Sequence, residues 1–316
     1  MDYKDLRIAF MGTPEFAVAS LDALVQAGCT IVSVITAPDK PAGRGMKLQQ
    51  SAVKKYAVEK GLPVLQPEKL KNPQFIEELK ALNADLQIVV AFRMLPEVVW
   101  NMPPMGTINV HGSLLPQYRG AAPINWAVIN GETETGVTTF KLQHEIDTGH
   151  ILLQDRIAIG DDETAGELHD KMKDVGAQLL VKTVKGLADG SLQEIPQTNV
   201  AEQKSGEIKH APKIHTATCL IDWNKSVNEI YNLIRGLSPY PAAFTHLHEK
   251  TLKIYTAEKE TTQPNISPGK YETNHKTYLK FACSNGYIRI KELQLEGKKR
   301  MPITDFLRGF RNPQSS

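Results

Sequence analysis

The chain has 316 residues, of which 41% are hydrophobic and 23% charged, with a formal net charge of +2. That balance belongs to a soluble globular protein long enough for about two domains, and it excludes a disordered or fibrous chain. No apolar run approaches the roughly 18 residues of a membrane span, and the start "MDYKDLRIAF" enters a strand without the apolar stretch of a signal peptide, so a cytoplasmic protein with no membrane partner is expected. Cys29, Cys219 and Cys283 are odd in number and show no CxxC spacing, which predicts reduced, buried thiols and neither a disulfide framework nor a cysteine metal site.

In chain order, "LRIAFMG" reads as a buried strand, and Thr13 and Pro14 as the N-cap and first residue of a helix that stops at Gly28. Further strands are expected at "TIVSVIT", "LPVLQ", "LQIVVAF" and "TINVHG". The helical stretches "SAVKKYAVEKG" and "NPQFIEELKALN" separate them, the alternation of a doubly wound, mostly parallel α/β sheet. The first turn, "MGTPEF", lacks the GxGxxG dinucleotide fingerprint. Two more strands, near "GVTTFKL" and "HILLQDRIAI", precede a helix opened by the capping box of Thr164 and Glu167. Residues 190–209 are polar and without period, the composition of a linker, and divide a domain of residues 1–189 from one of residues 210–316. After a short helix in "WNKSVNEIYNLIRGL", the segments "AAFTHLHE", "TLKIYTAE", "GKYET", "TYLKFAC" and "YIRIKELQL" predict a small five-stranded, OB-like β-barrel.

The charge is unevenly divided. Residues 1–208 carry 20 Lys and Arg against 26 Asp and Glu, a net −6, whereas 209–316 carry 17 against 9, a net +8. A basic second domain favours a polyanionic partner. Lys40, Arg44 and Lys47 lie in "PDKPAGRGMKLQQ", a hinge-rich segment that composition leaves equally open to a solvated loop and to an arm closing on a phosphodiester backbone.

The segment with most chemistry is "TINVHGSLLPQYRGAAP", residues 107–123. Asn109 and His111 lie two places apart and so share one face of a strand, at the carboxyl end where open α/β sheets bind ligands. An acyl-type transfer needs an amide or backbone donor for the developing oxyanion and a base for the attacking amine, and Asp147 in "IDTG" is the candidate acid to partner the imidazole. The tripeptide "DTG" occurs once, so an aspartic-protease pair is excluded. His246 and His248 have no third ligand spaced nearby, and no metal is expected. His144, His150 and His169 have no nameable partner.

"GTPEFA", "PDKPAGRG", "INVHGSLLPQYRGAAP" and "IDTG", in that order, resemble the folate-dependent formyltransferases, and among them the methionyl-tRNA formyltransferases, along nearly the whole chain. The resemblance implies a Rossmann-like catalytic domain, 10-formyltetrahydrofolate as formyl donor, and initiator methionyl-tRNA as acceptor. By it, Asn109 would stabilise the tetrahedral oxyanion, His111 would orient and help deprotonate the attacking α-amine, and Asp147 would hold the imidazole and relay the proton. Ser113, Leu114, Leu115 and Pro116 would serve the formyl-folate pocket, with Arg119 and Gly120 fixing the loop. Lys40, Arg44, Lys47, Lys298, Lys299 and Arg300 are the expected tRNA contacts, and a monomer is expected. One departure is "AFRMLP", where Arg93 follows the aromatic residue at a place where many relatives carry glycine, beside the pterin pocket. A sugar-nucleotide N-formyltransferase, a formyl-folate hydrolase and an RNA-binding protein with an inactive catalytic domain are the alternatives.

Overall fold

In a computed structural model of the chain, residues 1–42, 47–203 and 207–310 are described. The chain divides into two compact units. The first comprises Met1–Gly120, Thr135–Ile157 and Asp170–His210, and the second Ala121–Glu134, Ala158–His169 and Ala211–Ser316.

The elements begin with β1 (Arg7–Gly12), α1 (Glu15–Gln26), β2 (Thr30–Ile35), the short strands β3 (Lys40–Ala42) and β4 (Lys47–Gln49), α2 (Ala52–Glu59) and β5 (Val64–Leu65). There follow α3 (Pro73–Ala81), β6 (Leu86–Val90), α4 (Glu97–Trp100), β7 (Thr107–His111), β8 (Arg119–Gly120), α5 (Pro123–Ile129), β9 (Glu134–Lys141) and β10 (Ile151–Ala158). The long α6 (Ala165–Asp189), α7 (Gln197–Gln203), β11 (His210–Ala211), α8 (Thr216–Cys219) and α9 (Val227–Gly236) come next. The chain ends in β12 (Ala243–Leu247), β13 (Lys250–Glu260), β14 (Tyr271–Thr273), β15 (Leu279–Cys283), β16 (Gly286–Leu295), β17 (Met301–Pro302) and α10 (Ile303–Arg308).

The first unit is built on a seven-stranded sheet in the order β10-β9-β7-β6-β1-β2-β5. The strands from β5 to β7 pair in parallel, and β9 runs antiparallel to β7. All five residues of β6 are buried, as a central parallel strand covered on both faces must be. Strand order reverses between β1 and β6, the topological switch beside which such sheets bind ligands. Helix α1 starts one residue later than expected, because Pro14 itself is the extended N-cap and Thr13 makes no cap.

The second unit carries an antiparallel sheet in the order β12-β13-β16-β15-β14, with β17 added on β16. Each of the five segments read as strands is there. It is a curled half-barrel, bent where the register of β13 against β16 slips between Ile254 and Ala257. Trp223 stacks on Phe281 at 4.8 Å in its core and donates its indole N–H to Thr245.

The sequence reading cut the chain once, whereas the compact units interleave. Residues 121–134 join the second because Asn125 donates to the carbonyl of Gly236 at 2.8 Å, where a Cβ on Gly236 would lie 2.5 Å from Ile129. Residues 158–169 join it because Tyr231 donates to Asp162 at 2.6 Å and Arg235 to the carbonyls of Gly160 and Glu163. Within the segment read as a linker, Ile195 bridges Ile151 and Gln197 is 3% exposed.

Candidate active site

Strand β7 lies between β6 and β9, with Asn109 opposite Val89 on one side and Phe140 on the other. This interior position makes Val110 buried and presents Asn109 and His111 together from the opposite face. The Asn109 carboxamide is partly exposed and, among the described residues, makes no hydrogen bond. His111 is 7% exposed, with its ring edge-on to Phe140.

His111 Nε2 lies 2.9 Å from the carbonyl oxygen of Tyr118. A carbonyl only accepts, so Nε2 carries the proton and Nδ1 is the basic nitrogen of the neutral ring. Nδ1 faces Oδ2 of Asp147 at 3.9 Å, and the same Oδ2 accepts the backbone N–H of Gly120 at 3.0 Å. Tyr118 and Asp147 both adopt positive φ, 59° and 54°, a left-handed conformation costing side-chain-bearing residues on the order of 1–3 kcal/mol each. Surrounding bonds hold them there. Tyr118 N–H donates to the carbonyl of Lys209, and Gln197 Nε2 donates to the carbonyls of Asp147 and Gly149, both at 2.8 Å. Gly149 is required: a Cβ there would stand 1.6 Å from the carbonyl oxygen of Lys141.

Residues 6–184 match the model of the formyl transferase family, and residues 213–311 that of the formyl transferase C-terminal domain. A methionyl-tRNA formyltransferase of Parabacteroides distasonis is 59% identical over 98% of this chain and 98% of its own. The chain belongs to the methionyl-tRNA formyltransferase family. Its relative of the same name in Phocaeicola vulgatus is 56% identical over 100% of this chain and 99% of its own. The fold is also similar to that of an N-formyltransferase from Helicobacter canadensis, solved with folinic acid and dTDP-3-aminofucose. There the TM-score is 0.66, with 20% identity over 94% of this chain and 100% of that one.

The remaining residues singled out from the sequence fall into three groups. In the loop after β7, Ser113 is sealed from solvent and donates to the carbonyl of Gln117, while Leu115 is fully buried against Phe140 and Ile151. Pro116 is buried and Leu114 partly so. Ser113 and Leu115 thus hold the loop together from inside it. Arg119 donates Nε and Nη2 to Oε1 of Gln197 at 3.0 and 2.7 Å. Burial holds its guanidinium below the ordinary arginine value, and Asp147 and Glu145 pull it partly back.

Arg93, read from the sequence as a departure, donates Nη1 to the carbonyl of Glu68 at 2.7 Å and Nη2 to that of Pro67. It straps the loop after β6 to the loop after β5, with its guanidinium over Phe92. Its Nε is buried and without a hydrogen-bond partner among the described residues.

Of the cations, Lys40 is exposed on β3, Lys47 lies on β4, and Arg44 is outside the described residues. Lys298 and Lys299 are exposed and make no ion pair among the described residues. Arg300, grouped with them from the sequence as a tRNA contact, is engaged within the protein. It forks onto Glu292 at 2.8 and 2.5 Å and lies 4.2 Å over the Tyr255 ring.

The histidines also find places. His150 pairs with Glu194 at 3.1 Å, and His144 faces Glu97 at 3.6 Å. His246 and His248 do not share a strand face, because His248 lies past the end of β12 at φ 48° and pairs with the Tyr271 hydroxyl. Among the described residues no group of three or more His, Cys, Asp or Glu could hold a metal ion. All three cysteines are free and buried, and no described helix is long and apolar enough to cross a membrane.

Gln197 is the site residue that sequence reasoning missed. It sits in the segment read as linker, where the apolar pair Ile195 and Pro196 was the available sign of an anchored chain.

Proposed function

We propose that this protein transfers the formyl group of 10-formyltetrahydrofolate to the α-amino group of methionine esterified to initiator tRNA, acting as a cytoplasmic monomer. The observation that carries the reading is the unpartnered carboxamide of Asn109 beside the His111 and Asp147 pair, in a chain related over its whole length to methionyl-tRNA formyltransferases.

The folate supplies an activated formyl group, and the chain supplies the donors and acceptors around it. Asn109 has a side-chain N–H not spent on the protein, available to the oxygen that gains charge as the amine adds to the formyl carbon. The attacking amine must lose a proton as its bond forms. Nδ1 of His111 and Oδ2 of Asp147 are two acceptors facing each other across 3.9 Å, and a proton placed between them is shared once the gap closes. That proton then returns to the folate nitrogen as its bond to the formyl carbon breaks, so the pair ends as it began. Tyr118, through its carbonyl, keeps the ring's other proton on Nε2 and so keeps Nδ1 basic.

Lys298 and Lys299 on the second unit, with Lys40, Arg44 and Lys47 on the first, would meet tRNA phosphates, which attract cations without reading sequence. A formylation assay with charged initiator and elongator methionine tRNAs side by side, supplied with 10-formyltetrahydrofolate, tests the function. Turnover on the initiator is expected, and turnover on neither overturns the reading.

A further inference from the structure

The carboxamide of Gln197 is saturated: its nitrogen donates to the carbonyls of Asp147 and Gly149, and its oxygen accepts two bonds from Arg119. Turning it over would set its N–H groups against the guanidinium and its oxygen against two carbonyls, so the surroundings dictate one orientation. The residue is 3% exposed and contacts neither His111 nor the Asp147 carboxylate by hydrogen bond.

What it does join is the backbone on both sides of the proton-handling pair. Arg119 lies between Tyr118, whose carbonyl holds His111 Nε2, and Gly120, whose N–H holds Asp147 Oδ2. On the other side, the two carbonyls taken by Gln197 flank the turn in which Asp147 sits at positive φ, with Gly149 pressed against Lys141. One side chain therefore sets the spacing of two loops whose separation determines whether His111 and Asp147 can share a proton.

We propose that Gln197 is a positioning residue for formyl transfer, holding the Asp147 turn in register with the His111 and Arg119 loop. The inference rests on the roles given above to His111 and Asp147. Because it acts through geometry at the proton-accepting pair, its loss should fall on turnover and not on substrate binding.

The test uses the full chain with Gln197→Leu, which removes donors and acceptor, and Gln197→Glu, which keeps an acceptor for Arg119 but loses both bonds to the Asp147 turn. Each is made in the native and in the Asp147→Asn background, with kcat and KM measured for both substrates. In the native background, kcat should fall about tenfold to a hundredfold, the usual penalty for roughly 1 Å of misplacement, with both KM values unchanged. In the Asp147→Asn background, neither substitution should lower kcat further. If Gln197→Leu fails to fold, Gln197→Glu carries the comparison. An equal loss of kcat in both backgrounds, a loss confined to KM, or undiminished kcat would each overturn the proposal for Gln197 alone. Full turnover by Asp147→Asn itself would overturn the reading of Asp147 on which it rests.

Discussion

Nδ1 of His111 stands 3.9 Å from Oδ2 of Asp147, beyond hydrogen-bonding distance, while Nε2 of the same ring is tied at 2.9 Å to the carbonyl of Tyr118. The ring is therefore held at one end and open toward the acid at the other. Groups that handle one proton together do not contribute independently. His111→Ala and Asp147→Ala should each lower turnover strongly, and the double variant should lose scarcely more than the worse single one. Single-turnover formylation of charged initiator tRNA by all three proteins checks this, and losses that multiply would argue for separate roles.

Asn109 is partly exposed and makes no hydrogen bond among the described residues, so removing its carboxamide breaks nothing in the fold. Asn109→Ala should cost roughly 100-fold to 1000-fold in turnover, the size seen for a lost oxyanion donor. Its thermal midpoint should equal that of the parent. Near-normal turnover, or inactivity that follows unfolding, would remove the oxyanion role.

Lys298 and Lys299 are neighbours of Arg300 in sequence but not in circumstance, because Arg300 is forked onto Glu292. Each lysine that contacts a phosphate should lower the slope of log affinity for tRNA against log salt by about one or somewhat less when changed to alanine. Arg300→Ala should leave that slope alone and instead lower stability by about 1 kcal/mol or less, as a half-exposed ion pair does. Filter binding across a salt series, with a melting curve for each variant, separates the two effects.

Glu194 accepts from Lys141 and pairs with His150, and its bond to Lys141, more than the charge of His150, holds its carboxyl below the ordinary value. A carboxyl whose pKa is lower folded than unfolded adds stability above its unfolded pKa, and that stability is lost as pH falls through the folded value. The melting temperature of the parent should exceed that of Glu194→Gln at pH 6 to 7, about two units above the ordinary value of 4.5, and the gap should close below it. A gap that persisted into acid would mean the carboxylate's charge is not what stabilises.

Much of the architecture was legible because its signals are local. In β12, Ala243, Thr245 and Leu247 are buried and the residues between them are not, and β13 opens the same way at Leu252 and Ile254, a period of two that needs only a few neighbouring residues to express. The box of Thr164 and Glu167 closes within one helical turn, with Glu167 N–H on the threonine oxygen at 3.2 Å and the glutamate accepting from Thr164 N–H at 2.8 Å. Asn109 and His111 could be placed on one face of one strand for the same reason.

What only the tertiary structure decided depends on groups distant in sequence or silent in it. Gln197 finds Asp147 and Gly149 through backbone carbonyls 50 and 48 residues away, and every residue carries such a carbonyl, so no side-chain pattern marks the partner. Arg300 and Glu292 meet because β16 pairs with β17, a strand of two residues, too short to show a period. Helix α5 belongs with α9 because Asn125 and Ile129 close on Gly236, more than a hundred residues along the chain. Sequence alone marked the longer elements and set Asn109 and His111 on one strand face, since these are set by neighbours; the fold decided that Arg300 is paired and which side chain holds the Asp147 turn, since these are set by whatever the chain brings back from afar.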